Sequence, residues 1–336
     1  MASLDVFKSS AFSMFSMTEA LNIVPKKWTR LRELGIFTEE PLMLRTFAVE
    51  QTIGVLNLIQ SKPVGAPAAQ NTIGHRSLRN FTIPHFPLED SVLAQDVVGV
   101  RAFGTESELM GVQELLAEKL QTMADKHEQQ REYLEWGALR GIVLEADTTT
   151  IVNYFTEFGI TQQTFNFAFS SATTNPAIQI MALKDWLEKS LEGEIMNGVQ
   201  VFCSAPFFDA LITHVLVKEA YANWSSRQPL GMDYRSKFEH NGVVFERHIG
   251  AATDAAGNIR DFVPANEAIA IATGTTNTFR TVFAPANFME TANTRALPRY
   301  AKQERLEYDR GIKIWTESNL LPICKRPKLI VKLTKS

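Results

Sequence analysis

Apolar residues recur at helical spacing along one unusually long stretch in the first half of the chain. Thr105 and Glu108 have the spacing of a capping box, which marks a helix start. The pattern predicts a single helix from Thr105 to Trp136, roughly 45–50 Å long at about 1.5 Å per residue, with one buried stripe. Such length is typical of a structural spine or an interface. The stripe consists of Leu109, Val112, Leu116, Leu120, Met123, His127 and Leu134, while Glu114, Glu118, Asp125, Glu128 and Glu132 fall mostly off it.

The segment before this helix has the pattern of a long hairpin. Residues 44–60 are rich in Leu, Val, Ile and Thr, residues 61–74 are rich in Pro, Gly and Ala, and residues 76–86 form a second extended run. A two-stranded ribbon is marginal in water unless it lies on another surface. That surface is either its own domain or another chain, and the pattern favours neither.

Residues 1–40 form an arm with scattered aromatic side chains and one short helix, which Ser16 and Glu19 start and Pro25 ends. An arm with three Phe residues and no core of its own is expected to pack on a neighbouring subunit, and so is the hairpin tip. The candidate subunit-contact residues are Phe7, Phe12 and Phe15 in the arm, and Pro63, Gly65, Pro67 and Gly74 in the tip.

The rest of the chain alternates short helices and strands without a regular βαβ order, which predicts the α+β class. Asn175 and Pro176 are a cap and first-turn pair for a helix ending near Gly193, and Ser204 opens another that ends near Trp224. The first is expected to bury Ile180, Leu183, Leu187 and Leu191, and the second Phe207, Phe208, Leu211, Ile212 and Val215. Strands are predicted around Phe165, Phe167 and Phe169 and at 199–202, 243–249, 267–273, 279–283, 311–316 and 328–333.

Composition narrows the functional classes. The 336 residues, 45% of them hydrophobic, suffice for about two domains. With 34 Lys and Arg against 37 Asp and Glu, the net charge is −3, which argues against a DNA-reading protein. Cys203 and Cys324 fit no disulfide or zinc spacing, so a reducing cytosol is expected. The N-terminus lacks the pattern of a signal peptide, and no apolar run predicts a transmembrane helix.

Sequence motifs for catalysis are missing: GxxxxGK[ST], GxGxxG, HExxH and GxSxG do not occur. We therefore predict no catalytic residue, no cofactor and no metal. His240 and His248 flank a strand but lack further ligands, and His214 is expected to be a hydrogen-bonded histidine at the edge of the core. Glu145 and Asp147 are expected in a solvated turn. Residues 131–135 suit i,i+4 pairing on a solvated helix face or an ion pair between subunits, and both remain open.

Several segments together resemble the bacteriophage major capsid protein E family, that of the lambda-like major head proteins. They occur in order over nearly the whole chain, and their combination is specific although each is weak. The segments are Leu34-Gly-Ile-Phe37, Phe81-Thr-Ile-Pro-His85, Val100-Arg-Ala-Phe-Gly104, Glu135-Trp-Gly-Ala-Leu-Arg-Gly141, Phe158-Gly159, Pro206-Phe-Phe-Asp-Ala-Leu-Ile-Thr-His214, Ala284-Pro-Ala-Asn-Phe-Met-Glu-Thr-Ala-Asn-Thr294, Leu297-Pro298, Tyr300-Ala-Lys302, Glu317-Ser-Asn-Leu-Leu-Pro322 and Arg326-Pro327.

Two positions depart from the family pattern. Thr148 stands where the family often has a glycine after the turn aspartate, and Arg295-Ala296 stands where a glycine is common before the Leu-Pro step. We expect these departures to alter turn geometry.

The resemblance implies the HK-97-type phage capsid fold. It divides the chain into an N-terminal arm (1–40), an extended E-loop hairpin (41–90), a P-domain with the spine helix (91–175), an A-domain (176–300) and a C-terminal return to the P-domain (301–336). These boundaries are expectations from the resemblance.

The resemblance also implies a function, that of a major capsid protein of a tailed bacteriophage. Copies would form the hexamers and pentamers of an icosahedral head that encloses double-stranded DNA without sequence-specific binding. The protein would be located in the virion, after assembly in the host cytoplasm and without a membrane. Candidate further partners are a decoration protein, a scaffold and a portal. The alternatives are another phage structural protein, such as a scaffold or decoration protein, and a cytosolic enzyme with a site assembled from distant residues.

Overall fold

The computed structural model describes residues 14–23, 30–52, 76–97, 112–171, 174–191, 194–225, 237–254, 256–275 and 278–335. The α-helices in these ranges are α1 (Met14–Ile23), α2 (Arg30–Glu33), α3 (Ala94–Val97), α4 (Val112–Arg140), α5 (Tyr154–Phe158), α6 (Pro176–Ser190), α7 (Ala205–Thr213) and α8 (Val215–Ser225). Short 3-10 helices lie at Met289–Thr291, Glu307–Asp309 and Pro327–Leu329.

The strands in the same ranges are numbered in chain order. They are β1 (Thr38–Pro41), β2 (Thr46–Thr52), β3 (Arg76–Thr82), β4 (Phe86–Leu93), β5 (Ile142–Leu144), β6 (Thr150–Asn153), β7 (Gln163–Asn166), β8 (Gly198–Cys203), β9 (Phe238–His240), β10 (Val243–Arg247), β11 (Ala251–Thr253), β12 (Ile259–Asp261), β13 (Glu267–Thr273), β14 (Phe279–Phe283), β15 (Tyr300–Arg305), β16 (Gly311–Ser318), β17 (Leu320–Cys324) and β18 (Val331–Thr334).

The largest sheet has the strand order β7-β18-β13-β8-β10-β9 and mixes parallel and antiparallel pairs. Two three-stranded sheets, β1-β14-β17 and β15-β16-β4, lie beside α4, and three two-stranded pairs are β2-β3, β5-β6 and β11-β12. The last part of the chain contributes to three sheets, because β15 and β16, then β17, then β18 each join a different one. The α+β class is confirmed, since helices and strands are interleaved without βαβ repetition.

Helix α4 corresponds to the predicted spine, but its end differs from the prediction. It ends at Arg140 and not at Trp136, and Gly141 follows with a φ of 84°, a left-handed conformation that favours glycine. The predicted start at Thr105 lies outside the described residues. The prediction of a single buried stripe is wrong in the second half, where every residue from 131 to 139 is buried.

Three hydrophobic cores surround these elements. One lies between α6, α7 and the six-stranded sheet, and a larger one surrounds the second half of α4, centred on Trp136. A third, smaller core joins α1 to the first half of α4 and to the β15-β16-β4 sheet. Met17 and Leu21 on α1 pack there with Leu116 and Met123 on α4, while Leu120 is half-buried.

The predicted hairpin is present as β2 and β3, which pair in antiparallel register from Thr46 with Thr82 to Thr52 with Arg76. Phe47 and Phe81 stack across the pair with ring centroids 5.9 Å apart. The predicted second run, residues 76–86, breaks at residues 83–85, and the chain then continues as β4. The hairpin tip, and with it Pro63, Gly65, Pro67 and Gly74, lies outside the described residues.

The predicted cap of α6 is confirmed, because Oδ1 of Asn175 accepts a hydrogen bond from the Ala177 amide at 3.0 Å. The prediction of one helix from Ser204 to Trp224 is wrong. The chain divides into α7 and α8 at His214, whose backbone is extended, and the Ser204 hydroxyl donates to the Glu267 carbonyl instead of capping. Val215 was expected on the apolar side and is 52% exposed.

The strands predicted at 267–273 and 279–283 are confirmed as β13 and β14. Three others are shorter than predicted. The strand expected through Phe165, Phe167 and Phe169 ends at Asn166, and the 243–249 strand ends at Arg247. The 328–333 strand begins only at Val331, after the 3-10 helix Pro327–Leu329. That helix follows from Pro327, whose ring fixes φ and removes the amide proton that a strand would use.

Candidate functional site

The second half of α4 carries a network of charged side chains inside the subunit. Glu128, Arg131, Glu132 and Glu135 are each at most 4% exposed. Nε of Arg131 donates to Oε1 of Glu135 at 2.7 Å, and the Thr281 hydroxyl donates to the same oxygen at 2.8 Å. The hypothesis of a solvated face for residues 131–135 is therefore wrong, because β1 and β14 cover this side of the helix.

Arg131 is the centre of this network. Besides Glu135, it pairs with Glu39 on β1 at 2.9 Å, and its guanidinium lies 5.2 Å from the ring centre of Phe283. Arg131 and Glu135 form an i,i+4 pair within the helix. Burial of a charge is costly unless it is paired and hydrogen-bonded, and this geometry offsets that cost.

Helix α2 is held against the same network by core carboxylates. Arg30 donates from Nε to Oε1 of Glu246 at 2.6 Å and from Nη2 to Oε2 at 2.8 Å, a bidentate pair. Arg32 lies 3.1 Å from Glu128 in a charge contact without hydrogen-bond alignment. Between these two arginines, Leu31 is fully buried. The short α2 therefore depends on both charge and apolar burial for its position.

Glu132 differs from its neighbours in its ionisation. Burial, together with the charge of Glu135, raises the pKa of Glu132 to about 7, although Nε1 of Trp136 and the backbone amide of Leu31 donate to it. Near neutral pH this carboxyl is therefore partly protonated. The charge of Glu132 therefore changes with pH in the physiological range.

Two histidines beside the network are held neutral. Burial lowers the pKa of His127 to about 4, with a smaller effect from Arg299. Its Nε2 lies 3.0 Å from the Thr316 hydroxyl, which itself donates to the Leu88 carbonyl, so Nε2 of His127 donates to Thr316. Burial, and then Arg30, lower the pKa of His248 to about 4.

The structure separates the histidines that the sequence placed at the ends of one strand. The ring of His248 packs against Trp136, with centroids 4.3 Å apart, whereas His240 stacks on Phe238 in the six-stranded sheet. In the described part of the chain, no group of three or more His, Cys, Asp and Glu side chains could hold a metal ion. His214 is a buried, hydrogen-bonded histidine as predicted, with Nε2 3.3 Å from the Ser171 carbonyl.

The turn between β5 and β6 confirms the solvated position of Glu145 and Asp147, both of which are exposed. The backbone amide and hydroxyl of Thr149 donate to Asp147 and hold the pKa of that carboxyl below its usual range. Thr148, the residue that departs from the family glycine, has a φ of 74°. A β-branched residue is strained in this left-handed region, so the departure falls where glycine would fit best. Ala296, at the second departure, is buried.

Large apolar side chains are exposed at the base of the hairpin and along one of its strands. Met43 and Leu44 precede β2, Leu78 lies on β3, and these three are 55%, 66% and 67% exposed. Leu297 is 44% exposed and follows Ala296, whose amide donates to the Leu42 carbonyl. Exposed apolar groups of this size indicate a contact surface.

The contact residues predicted in the arm remain predictions, because the structure does not describe their side chains. Phe7 and Phe12 lie outside the described residues. Phe15 belongs to α1, whose inner face includes the buried Met14 and Met17, but its side chain is not among those described.

No helix within the described ranges is long and apolar enough to cross a membrane. Cys203 and Cys324 are buried free thiols.

The spine helix, the hairpin and the mixed sheet place the chain in one fold class, the HK-97-like fold. The structure of the capsid of the native GTA particle is similar, with a TM-score of 0.55 and 9% identity over 93% of this chain and 92% of that one. Residues 13–335 match the family model described as phage major capsid protein E, and the chain belongs to that family. Its relatives include the major capsid proteins of Pseudomonas phage KPP10 (28% identical) and Salmonella phage Felix O1 (24%), each alignment covering 96% of both chains.

Proposed function

We propose that this chain builds the head of a tailed bacteriophage by assembling into hexamers and pentamers of an icosahedral shell around double-stranded DNA. The observation that carries the proposal is the family match over residues 13–335, together with an HK-97-like fold over nearly the whole length. The role is structural, without a catalytic step. Assembly in the host cytoplasm, and binding of a portal, a scaffold and a decoration protein, belong to the same proposal.

The near-neutral charge supports enclosure of DNA without sequence-specific binding. A net charge of −3 offers no general attraction for phosphates, and a strongly cationic lining would retain DNA that has to enter and leave the head. Contacts between copies then depend on apolar and shape-complementary surfaces. The exposed Met43, Leu44 and Leu78 beside the hairpin suit such contacts.

The division into domains follows the same proposal. Residues 1–40 are the arm, 41–90 the E-loop hairpin, 91–175 the P-domain, 176–300 the A-domain and 301–336 the return to the P-domain. Helices α6 to α8 and most of the six-stranded sheet lie within the proposed A-domain. Strand β18 lies in the return segment and pairs with β13 and β7, so that segment also contributes a strand to the six-stranded sheet.

Electron microscopy of the expressed full-length chain tests this function. We expect closed shells of uniform size. Monodisperse monomers under all conditions, or open filaments, would contradict it.

A deletion tests the hairpin separately. Replacing Pro63 to Gly74 by a short glycine turn should leave the melting temperature nearly unchanged but impair shell formation, because this tip contributes few large apolar groups to a core. A matched control replaces the exposed Gly257 turn between β11 and β12 with an equally short turn. Normal shells from the tip deletion would count against an intersubunit role for the hairpin.

A further inference from the structure

The β2-β3 hairpin joins β4 through residues 83–85, and a polar cluster lies at this connection. The ring of His85 has 32% of its side chain exposed and packs against Glu317 and Asn319, which are 1% and 0% exposed. Its Nδ1 lies 2.7 Å from Oδ1 of Asn319, and its Nε2 lies 3.7 Å from Oε2 of Glu317. A partly exposed histidine thus joins two fully buried polar groups.

The hydrogen bonds define which atom of His85 donates. Nδ2 of Asn319 donates to the Pro285 carbonyl at 2.9 Å, so Oδ1 of the same amide faces His85 and has to accept. Nδ1 of His85 is therefore the donor. Its other nitrogen, Nε2, faces the carboxylate of Glu317.

Glu317 is itself held by two further donors. The backbone amide of Asn287 donates to Oε1 at 2.6 Å, and Nε1 of Trp315 donates to Oε2 at 3.2 Å. The carboxylate and the Asn319 amide therefore form a rigid acceptor pair. A buried group with fixed partners can position whatever binds to it.

Three sequence segments that carry the family resemblance meet in this cluster. His85 ends one, Pro285 and Asn287 belong to the second, and Glu317 and Asn319 belong to the third. Along the chain, His85 and Asn319 are 234 positions apart. Nothing in the sequence alone indicated that they touch.

The cluster lies where it can set the direction of the hairpin. Strand β4 pairs with β16 from Phe86 with Ser318 onward, directly after His85, whereas β3 and β2 pair with each other. The seven-residue pairing makes the described part of the hairpin about 24 Å long at about 3.4 Å per residue. Val49 and Phe81 anchor the first half of this ribbon in the larger core of the same subunit, so a change of direction at the base would act on the half beyond Val49.

We propose that His85 is a positioning residue, which fixes the angle between the β2-β3 hairpin and the β15-β16-β4 sheet through its Nδ1 hydrogen bond to Asn319. This rests on the proposed function, since the angle determines where one subunit reaches its neighbour in a shell. The partner that it positions the hairpin against is a second copy of this chain.

Three variants separate the contacts of the ring. The H85N variant keeps an amide N–H near the place of Nδ1, H85Q places one near Nε2, and H85A removes both. Hydrogen exchange of residues 46–52 and 76–82 in the unassembled full-length chain is the readout. H85A and H85Q should exchange about tenfold faster there, the effect of one lost buried hydrogen bond, and H85N should restore the wild-type rate.

Assembly gives the second readout. H85A should form shells of mixed size or incomplete closure, and H85N should form uniform ones. His240→Ala is the control, because His240 stacks on Phe238 in the six-stranded sheet and should change neither readout.

Two results would overturn the proposal: wild-type exchange in H85A, or a lower melting temperature with exchange raised evenly over the whole chain. Absence of shells in the wild type would instead contradict the proposed function, and the exchange measurement would still decide the role of His85.

Discussion

The two halves of α4 differ in the burial of their charged residues, although they form one continuous helix. In the first half, Leu116 and Met123 pack on α1 and the adjoining sheet, and charged residues such as Glu114 and Glu118 are exposed. In the second half, Glu128, Arg131, Glu132 and Glu135 are as buried as Leu134. A helix with one solvent-exposed face keeps its charged side chains in water. A helix that passes through the interior of the subunit has to pair its charged side chains with other buried groups.

The largest expected difference between the halves concerns their ion pairs. Arg131→Met should cost about 3–5 kcal/mol, because it leaves the buried Glu135 without its cation. Lys119→Met, the matched change in the first half, removes a pair with Asp90 that is 23% and 41% exposed and should cost at most about 1 kcal/mol. Melting of both variants in the same assembly state measures this. Similar costs would show that the second half is solvated after all.

Apolar truncation should sharpen the same contrast. Leu134→Ala removes a fully buried side chain and should cost about 2–5 kcal/mol. Leu120→Ala, on the half-buried part of the stripe, should cost clearly less, and Gln121→Ala should stay within about 0.5 kcal/mol of wild type. Denaturant unfolding ranks the three. A Leu120 variant as damaged as the Leu134 variant would mean that the first half is buried more deeply.

The ionisation of Glu132 gives the second half a pH dependence of its own. Its pKa is raised from 4.5 to about 7, so its contribution to stability is full below about pH 4.5 and is lost as the pH rises through 7. Glu132→Gln removes that loss. Between pH 5 and pH 8, the free energy of unfolding of this variant should rise by up to about 3 kcal/mol relative to that of the wild type. This rise corresponds to about 1.4 kcal/mol for each unit of pKa difference.

Subtracting the wild-type melting curve isolates this effect from the histidines. His127 and His248, whose pKa values are lowered to about 4, act in the opposite direction, since their neutral forms stabilise the fold and that stability is lost as the pH falls from 6.5 through 4. A pH-independent difference between Glu132→Gln and wild type would contradict the assignment of a raised pKa to Glu132.

A small effect is expected just beyond the end of α4, in the β5-β6 turn. Thr148→Gly should raise stability by about 0.5–1 kcal/mol, because relief of the left-handed strain exceeds the added freedom of the unfolded chain. Thr149→Gly, at a neighbouring position without a positive φ, should lower it. Paired thermal melts measure both, and a loss of stability in both variants would show that Thr148 is unstrained.

Much of the fold could be predicted from the sequence wherever local pattern decides structure. The cap at Asn175, the strands β13 and β14, and the helical character of α4 depend on neighbours within a few residues. The burial of Arg131 and Glu135 could not be predicted, because it depends on Glu39 and Thr281, which are distant in sequence. One feature of the sequence did indicate burial, since a Trp and a Tyr stand among the charged residues of 131–136.

The candidate site was less predictable than the fold. The contact residues chosen in the arm and the hairpin tip were selected for aromatic and turn-forming character, and they remain predictions. The residues of the polar cluster at His85 belong to separate motif segments of the sequence. A motif alone does not indicate which other segment it contacts in the fold. That information comes from the pairing of β4 with β16.

The most direct test of this account is a cryo-electron microscopy structure of particles assembled from the full-length chain. We predict a closed shell in which Arg131 pairs with Glu39 and Glu135 of its own subunit while the hairpin tip, residues 63–74, lies on a neighbouring subunit. A shell in which Arg131 pairs across a subunit boundary, or in which the tip packs only on its own subunit, would contradict it.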